Sequence, residues 1–187
     1  HWRSSQDVTG FTETGGPDAG VLRFESGDQR LPVFESTGSD TQTIALQVGP
    51  VTAEASAYGE PFAYLPEHRA VMAIDGNPAT SWLVADRASA IGEYIRLRVD
   101  EPVDHVTLRQ PDTAVGTRSI DAVRLDIEGR APIDVALDGR SLTGDGQRID
   151  IDPTNGPSTI TVTIVSTDDP QPPIGDAVSA VGFATIG

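Results

Sequence analysis

Apolar and polar positions alternate with a period of two through most of the second half of this chain. The clearest runs cover residues 93–99, 103–109, 120–127, 133–137, 147–151, 159–165 and 178–186. In the first, Ile95, Leu97 and Val99 alternate with Tyr94, Arg96 and Arg98; in the third, Val123, Leu125 and Ile127 alternate with Arg124 and Asp126. Such runs predict strands with one dry face and one wet face. Between them stand turn-forming clusters: Asp138-Gly139, Gly144-Asp145-Gly146 and Asn155-Gly156-Pro157. Strands at this spacing with little helix predict an all-β sandwich or jelly roll. The one helical turn predicted lies at 66–74, where Glu67, Arg69 and Ala70 favour helix and Asp75-Gly76 ends it.

The first 45 residues read differently. Residues 1–19 are rich in Ser, Thr, Gly and Asp, the composition of a linker. Residues 21–24, 31–34 and 41–48 could add strands, two of them as a hairpin across Ser26-Gly27-Asp28. The expected organisation is therefore an extended arm over residues 1–45 and a sandwich over residues 46–187.

Composition narrows the function. The chain has 187 residues, enough to bury roughly 70% of its unfolded surface without a disulfide or metal. It has no cysteine, which excludes thiolate metal sites and cysteine nucleophiles. Its net charge is −15, and every one of its 13 basic residues is arginine. That charge repels nucleic-acid phosphates and anionic lipid, and leaves neutral sugars and cations as partners. No apolar run approaches the ~18 residues of a membrane helix. Beginning at His1, the chain reads as a segment of a larger protein, with the rest of that protein as its standing partner.

Catalytic motifs do not assemble. The histidines His1, His68 and His105 form no H-E-x-x-H, no G-x-S-x-G elbow occurs, and a phosphate loop is impossible without lysine. Asp150, Asp152 and Thr154 hint at a calcium loop, but the twelfth position is Thr161 where a bidentate Glu is needed. No enzyme is expected.

The informative stretch is 70–82. Asp75 and Asn77 flank a sharp bend at Gly76, Thr80 adds a hydroxyl, and backbone carbonyls, Ala73 among them, complete an all-oxygen set suited to Ca²⁺. Trp82 then supplies a large core side chain. The alternative is a turn in which Asp75 caps loop amides. This A-x-D-G-x-x-x-T-x-W pattern (Ala73, Asp75, Gly76, Thr80, Trp82) resembles the discoidin, or coagulation factor 5/8 C-type, galactose-binding-like family. The strand 92–97, the turn 102–106 and the closing run 180–186 resemble the same family, so the likeness covers about 51–187.

The resemblance implies a jelly-roll sandwich, often with a structural Ca²⁺, that binds carbohydrate without transforming it. The family's closing strand usually carries a Glu that completes the calcium shell. Here it reads Phe183-Ala184-Thr185-Ile186, one charged ligand short, so both readings of Asp75 stay open. Sugar contacts are expected from loops at one end of the sandwich. The candidates are Arg109 and Arg118, which flank a loop with Gln110 and Asp112; His105 on its strand; and Tyr58 and Tyr64, with Phe62, in the long loop before the Asp-Gly bend. The alternatives are a solvated loop with internal ion pairs for the arginines, a solvated or satisfied His105, and core plugs beneath the loop for the aromatics. The stretch from Thr41 to the Asp-Gly bend is similar to the extracytoplasmic part of actinobacterial membrane arabinofuranosyltransferases, which implies an extracytoplasmic location. The expected function is a non-catalytic carbohydrate-binding module holding a polysaccharide near a catalytic domain; the alternative is a structural or protein-interaction sandwich without a sugar site.

Overall fold

The computed structural model describes residues 22–23, 47–59, 65–85, 89–112, 118–168 and 180–187. Its strands are β1 (Leu22–Arg23), β2 (Val51–Ala55), β3 (Ala57–Tyr58), β4 (Trp82–Ala85), β5 (Tyr94–Val99), β6 (His105–Arg109), β7 (Ile120–Ile127), β8 (Ile133–Ala136), β9 (Gln147–Asp150), β10 (Ser158–Thr167), β11 (Ala180–Phe183) and β12 (Thr185–Ile186). One layer is a five-stranded antiparallel sheet in the order β2-β5-β10-β7-β8. The other is built from the pair β4-β11 and the triplet β12-β6-β9. A break at Ala184, whose N–H donates to Arg109 O at 2.8 Å, separates β11 from β12 and joins the two parts. The fold is the all-β sandwich that the alternation predicts.

Every strong run predicted from alternation contains a strand, and all but β8, whose residues are exposed or half-buried, have a buried row to hold them. On β5 the buried residues are Ile95, Leu97 and Val99; on β7 they are Ile120, Val123, Leu125 and Ile127; on β10 they are Ile160, Val162 and Ile164. Val106, Leu108, Trp82, Val84, Val181 and Phe183 face them from the second layer, within one hydrophobic cluster. At about 25 cal/mol per Å² of apolar area, this shared core is the main force holding the layers together.

Two strands carry no alternation signal. β2 reads Val-Thr-Ala-Glu-Ala, with alanine, a poor strand former, at its buried positions Ala53 and Ala55. β4 begins with three large apolar residues in succession, Trp82, Leu83 and Val84. The turn predicted at 66–74 is two 3₁₀ turns, Pro66–His68 and Ala70–Ala73. Of the arm, Leu22–Arg23 pairs with β3 (Leu22 opposite Tyr58); the hairpin expected across Ser26-Gly27-Asp28 lies outside the described residues. The runs 31–34 and 41–46 lie outside the described residues. β2 and β3 are separated only by Ser56, so the chain passes there from one layer to the other: β2 pairs with β5, while Gly59 bridges to Val84 of β4.

Candidate functional site

The Asp-Gly bend follows directly from its residues. The second 3₁₀ turn ends at Ile74, and Gly76 takes φ +75°, a region that costs other L-residues energy. Asp75 Oδ1 then accepts the Asn77 N–H at 2.8 Å, and Asn77 Oδ1 accepts the Ala79 N–H at 3.1 Å. The Thr80 hydroxyl lies 2.7 Å from Asp75 Oδ2 and 2.8 Å from Asn77 O. A hydroxyl has one proton, so it can satisfy only one of these two oxygens at a time. Asp75 Oδ2, Asn77 O and Thr80 Oγ1 form a compact cluster, while Asp75 Oδ1 and Asn77 Oδ1 cap loop amides.

That cluster suits a hard cation in kind and is weak in charge. Asp75 is its one carboxylate, and among the described residues no group of three or more His, Asp or Glu could hold a metal. The closing strand beside Phe183 contributes Ala184 and Thr185 and no acid. Ala73 is fully buried, so its part in any shell would be its backbone carbonyl.

Trp82 anchors the bend to the core. It is fully buried, its Nε1 donates to Ala57 O at 2.9 Å, and its ring stacks on Phe183 with centroids 6.1 Å apart. Gly182 makes this closeness possible. A Cβ there would sit 1.8 Å from Trp82 O, so no other residue lets β11 lie against β4 in this way.

Arg109 and Arg118 stand at the two ends of one loop, 110–119, at the rim of the sandwich. Gln110 closes its neck. Its Nε2 donates to Ile120 O at 3.0 Å and to Ser141 Oγ at 2.8 Å, and its Oε1 accepts the Ile120 N–H at 2.6 Å. Arg118 donates its N–H to Ala180 O at 2.9 Å, and its guanidinium nitrogens are buried. The Arg109 side chain is 19% exposed, and its Nη2 reaches Asp112 Oδ1 at a long 3.4 Å. Its Nε is buried and has no hydrogen-bond partner among the described residues.

The other expected contacts do not join them. Tyr58 is 3% exposed, so its ring fills the core and offers no stacking face to a sugar. That corrects the expectation: two-residue strand β3 pairs with β1 and turns Tyr58 inward beneath it. His105 begins β6 and Arg109 ends it, so four residues, roughly 13 Å, separate them. His105 Nδ1 instead lies 2.5 Å from Asp104 Oδ1, in a surface cluster with Arg148 and Asp150. His105 beside Asp104 holds that carboxyl below its ordinary value. Tyr64 and Phe62 lie outside the described residues.

Two features escape sequence reading. The glutamines Gln47 and Gln147 act as Gln110 does. Gln47 Nε2 donates to Ala53 O and Gln47 Oε1 accepts the Ala53 N–H, which occupies hydrogen-bonding groups of edge strand β2. Gln147 links Ala136 O and the Asp138 N–H. Tyr94, read only as one member of an alternating run, carries the Arg96 guanidinium 5.1 Å from its ring centroid on the outer face of the first sheet.

With the bend and the rim in place, comparison with solved structures fixes the architecture. Two cryo-EM classes of a mutant mycobacterial arabinofuranosyltransferase AftD match with TM-scores of 0.53 and 0.52, at 23% and 21% identity over 74% of this chain. The chain shares the fold of a stretch of AftD. It spans 10% and 11% of the length of those transferase chains. The family 32 carbohydrate-binding module of NanJ from C. perfringens, solved with galactose, matches at a TM-score of 0.49 and 14% identity, over 73% of this chain and 91% of that one. The family 32 module of AlyQ, solved with 4,5-unsaturated mannuronic acid, matches at 0.45 and 16%, over 76% and 96%. No family model and no curated protein matches the sequence. At these identities the likeness speaks for the fold alone.

Proposed function

We propose that this chain is a non-catalytic carbohydrate-binding module of a larger extracytoplasmic protein, holding a polysaccharide near a catalytic domain. The observation that carries the reading is Arg109. It ends β6 at the rim of the sandwich, with a side chain 19% exposed and, among the described residues, one long contact of its head, Nη2 to Asp112 at 3.4 Å. A guanidinium is a rigid fork that suits paired sugar hydroxyls. Affinity would be on the order of mM to µM, as expected for a shallow, wet site.

Among the described residues, the carboxylates with a clear displacement, Asp104, Asp134 and Asp138, are all held low, each first by a hydrogen bond, from His105, Arg124 and Arg140 respectively. Because AftD is named for arabinofuranosyl transfer, glycans containing arabinofuranose are the first probes. The Asp75, Asn77 and Thr80 oxygens, with the Ala73 carbonyl, would hold a structural Ca²⁺ weakly, with a dissociation constant of about 10⁻⁴–10⁻³ M, the range of extracellular modules.

A glycan array spanning arabinans, galactans and charged glycans tests the proposal, with Arg109→Ala as control. Binding to a neutral glycan that weakens in Arg109→Ala supports it. Silence across the array sinks it in favour of the second reading, a structural or protein-interaction sandwich. The burial of Tyr58 and Trp82 is what favours that alternative.

A further inference from the structure

The outward face of the five-stranded sheet is polar and ordered in rows by its register. Register places Glu54, Arg96, Thr161 and Asp126 in one row, and Tyr94, Thr163, Arg124 and Asp134 in the next. Neighbouring strands stand about 4.8 Å apart, so a row spans roughly 15 Å. Beyond the second row the face becomes apolar. Val165, the extra residue of a bulge between Ile164 and Ser166, is 38% exposed. Ile91, 49% exposed, sits in the turn that Gly92 N ties to Ile164 O at 2.9 Å.

Two ion pairs neutralise four of the five charges in these rows: Arg96 Nη1 pairs with Glu54 at 2.9 Å, and Arg124 Nε pairs with Asp134 at 2.8 Å. Asp126 leaves a small negative excess, so an anionic ligand would be repelled there, as it would by the net charge of −15. What the face offers is a half-buried phenol ring with the Arg96 guanidinium over it, two exposed aliphatic side chains, and the hydroxyls of Thr161 and Thr163. That combination matches a sugar, which presents C–H surface on one side and hydroxyls around its edge.

We propose that the upper part of this face, formed by Tyr94, Arg96, Thr161, Thr163, Val165 and Ile91, is a second contact surface for a neutral polysaccharide. It is separate from the Arg109 rim and rests on the carbohydrate-binding reading. The sheet face would carry length of chain, and the rim would select its end or branch.

Affinity gel electrophoresis distinguishes the two. The protein is run through gels containing soluble arabinan, galactan or, as the anionic arm, polygalacturonate. Three variants are compared with the parent: the double variant Ile91→Asp with Val165→Asp, the milder Thr163→Ala, and Arg109→Ala at the rim. A thermal melt within about 2 °C of the parent value shows that each is folded. The expected result is retardation by a neutral gel that weakens at least fivefold in the double variant and about twofold in Thr163→Ala. If either folded face variant is retarded as strongly as the parent, the face is not a contact surface, whatever Arg109→Ala does. Retardation by polygalacturonate that the face variants abolish overturns the neutral ligand class. No retardation by any gel removes the carbohydrate reading and this inference with it; loss only in Arg109→Ala leaves that reading standing and overturns the inference.

Discussion

Three glutamines do work in this protein that backbone does elsewhere. Gln47, Gln110 and Gln147 each present a donor and an acceptor to main-chain groups that no strand reaches. Gln110 matters most, being 2% exposed and holding both polar groups of Ile120. Leaving a buried N–H unsatisfied costs about 1–3 kcal/mol, more than the bond itself contributes. Gln110→Leu is therefore expected to lower unfolding stability by about 3 kcal/mol, read as a lower urea midpoint at unchanged slope. An unchanged midpoint would mean the loop neck is held by something else. Gly182→Ala is expected to be worse than its size suggests. Its methyl must displace Trp82 O, so pairing of β11 with β4 fails, with a loss of at least about 3 kcal/mol and a red shift of Trp82 fluorescence. Normal stability in that variant would contradict the close approach.

The elements show what a sequence can and cannot announce. β5, β7 and β10 were legible because each puts a branched apolar residue at nearly every second position. β2 was not, since alanine marks a buried position without marking a strand. The bend at 75–80 was legible as a turn that brings Asp75 and Thr80 together, because Asp, Gly, Asn and Thr act on their own neighbours. Tyr58 was misread because its burial depends on β1 and β4, distant in sequence. The glutamine clamps were invisible for the same reason: their partners are set by the fold. With a dissociation constant near 1 mM, 10 mM Ca²⁺ would add about 1.4 kcal/mol, a rise of roughly 3–5 °C in Tm. Asp75→Ala should abolish the rise. No shift at 10 mM Ca²⁺ in the parent protein would mean the bend is closed by hydrogen bonds alone.

The whole molecule is acidic, and its surface pairs tie stability to pH. Hydrogen bonds from Arg124 and Arg140 hold Asp134 and Asp138 below the ordinary carboxylate range. A carboxyl whose pKa is lower in the folded state adds stability above its unfolded value, and that stability is lost as pH falls through the folded value. Tm is expected to be flat near neutrality and to fall below about pH 4, with a shallower fall in the double variant Asp134→Asn with Asp138→Asn; an identical acid limb would remove these pairs from the account. The same acidity frames function. On the proposed reading the partner is uncharged and held by arginine and hydroxyl groups, because a net charge of −15 repels anions. The most direct test is titration of the isotope-labelled protein with a neutral arabinan oligosaccharide, followed by amide chemical shifts. Saturable shifts at µM to mM ligand, centred on Arg109 and its loop and leaving the oligosaccharide uncleaved, are the predicted result. Unmoved amides at 10 mM ligand, for arabinan and galactan alike, would contradict it.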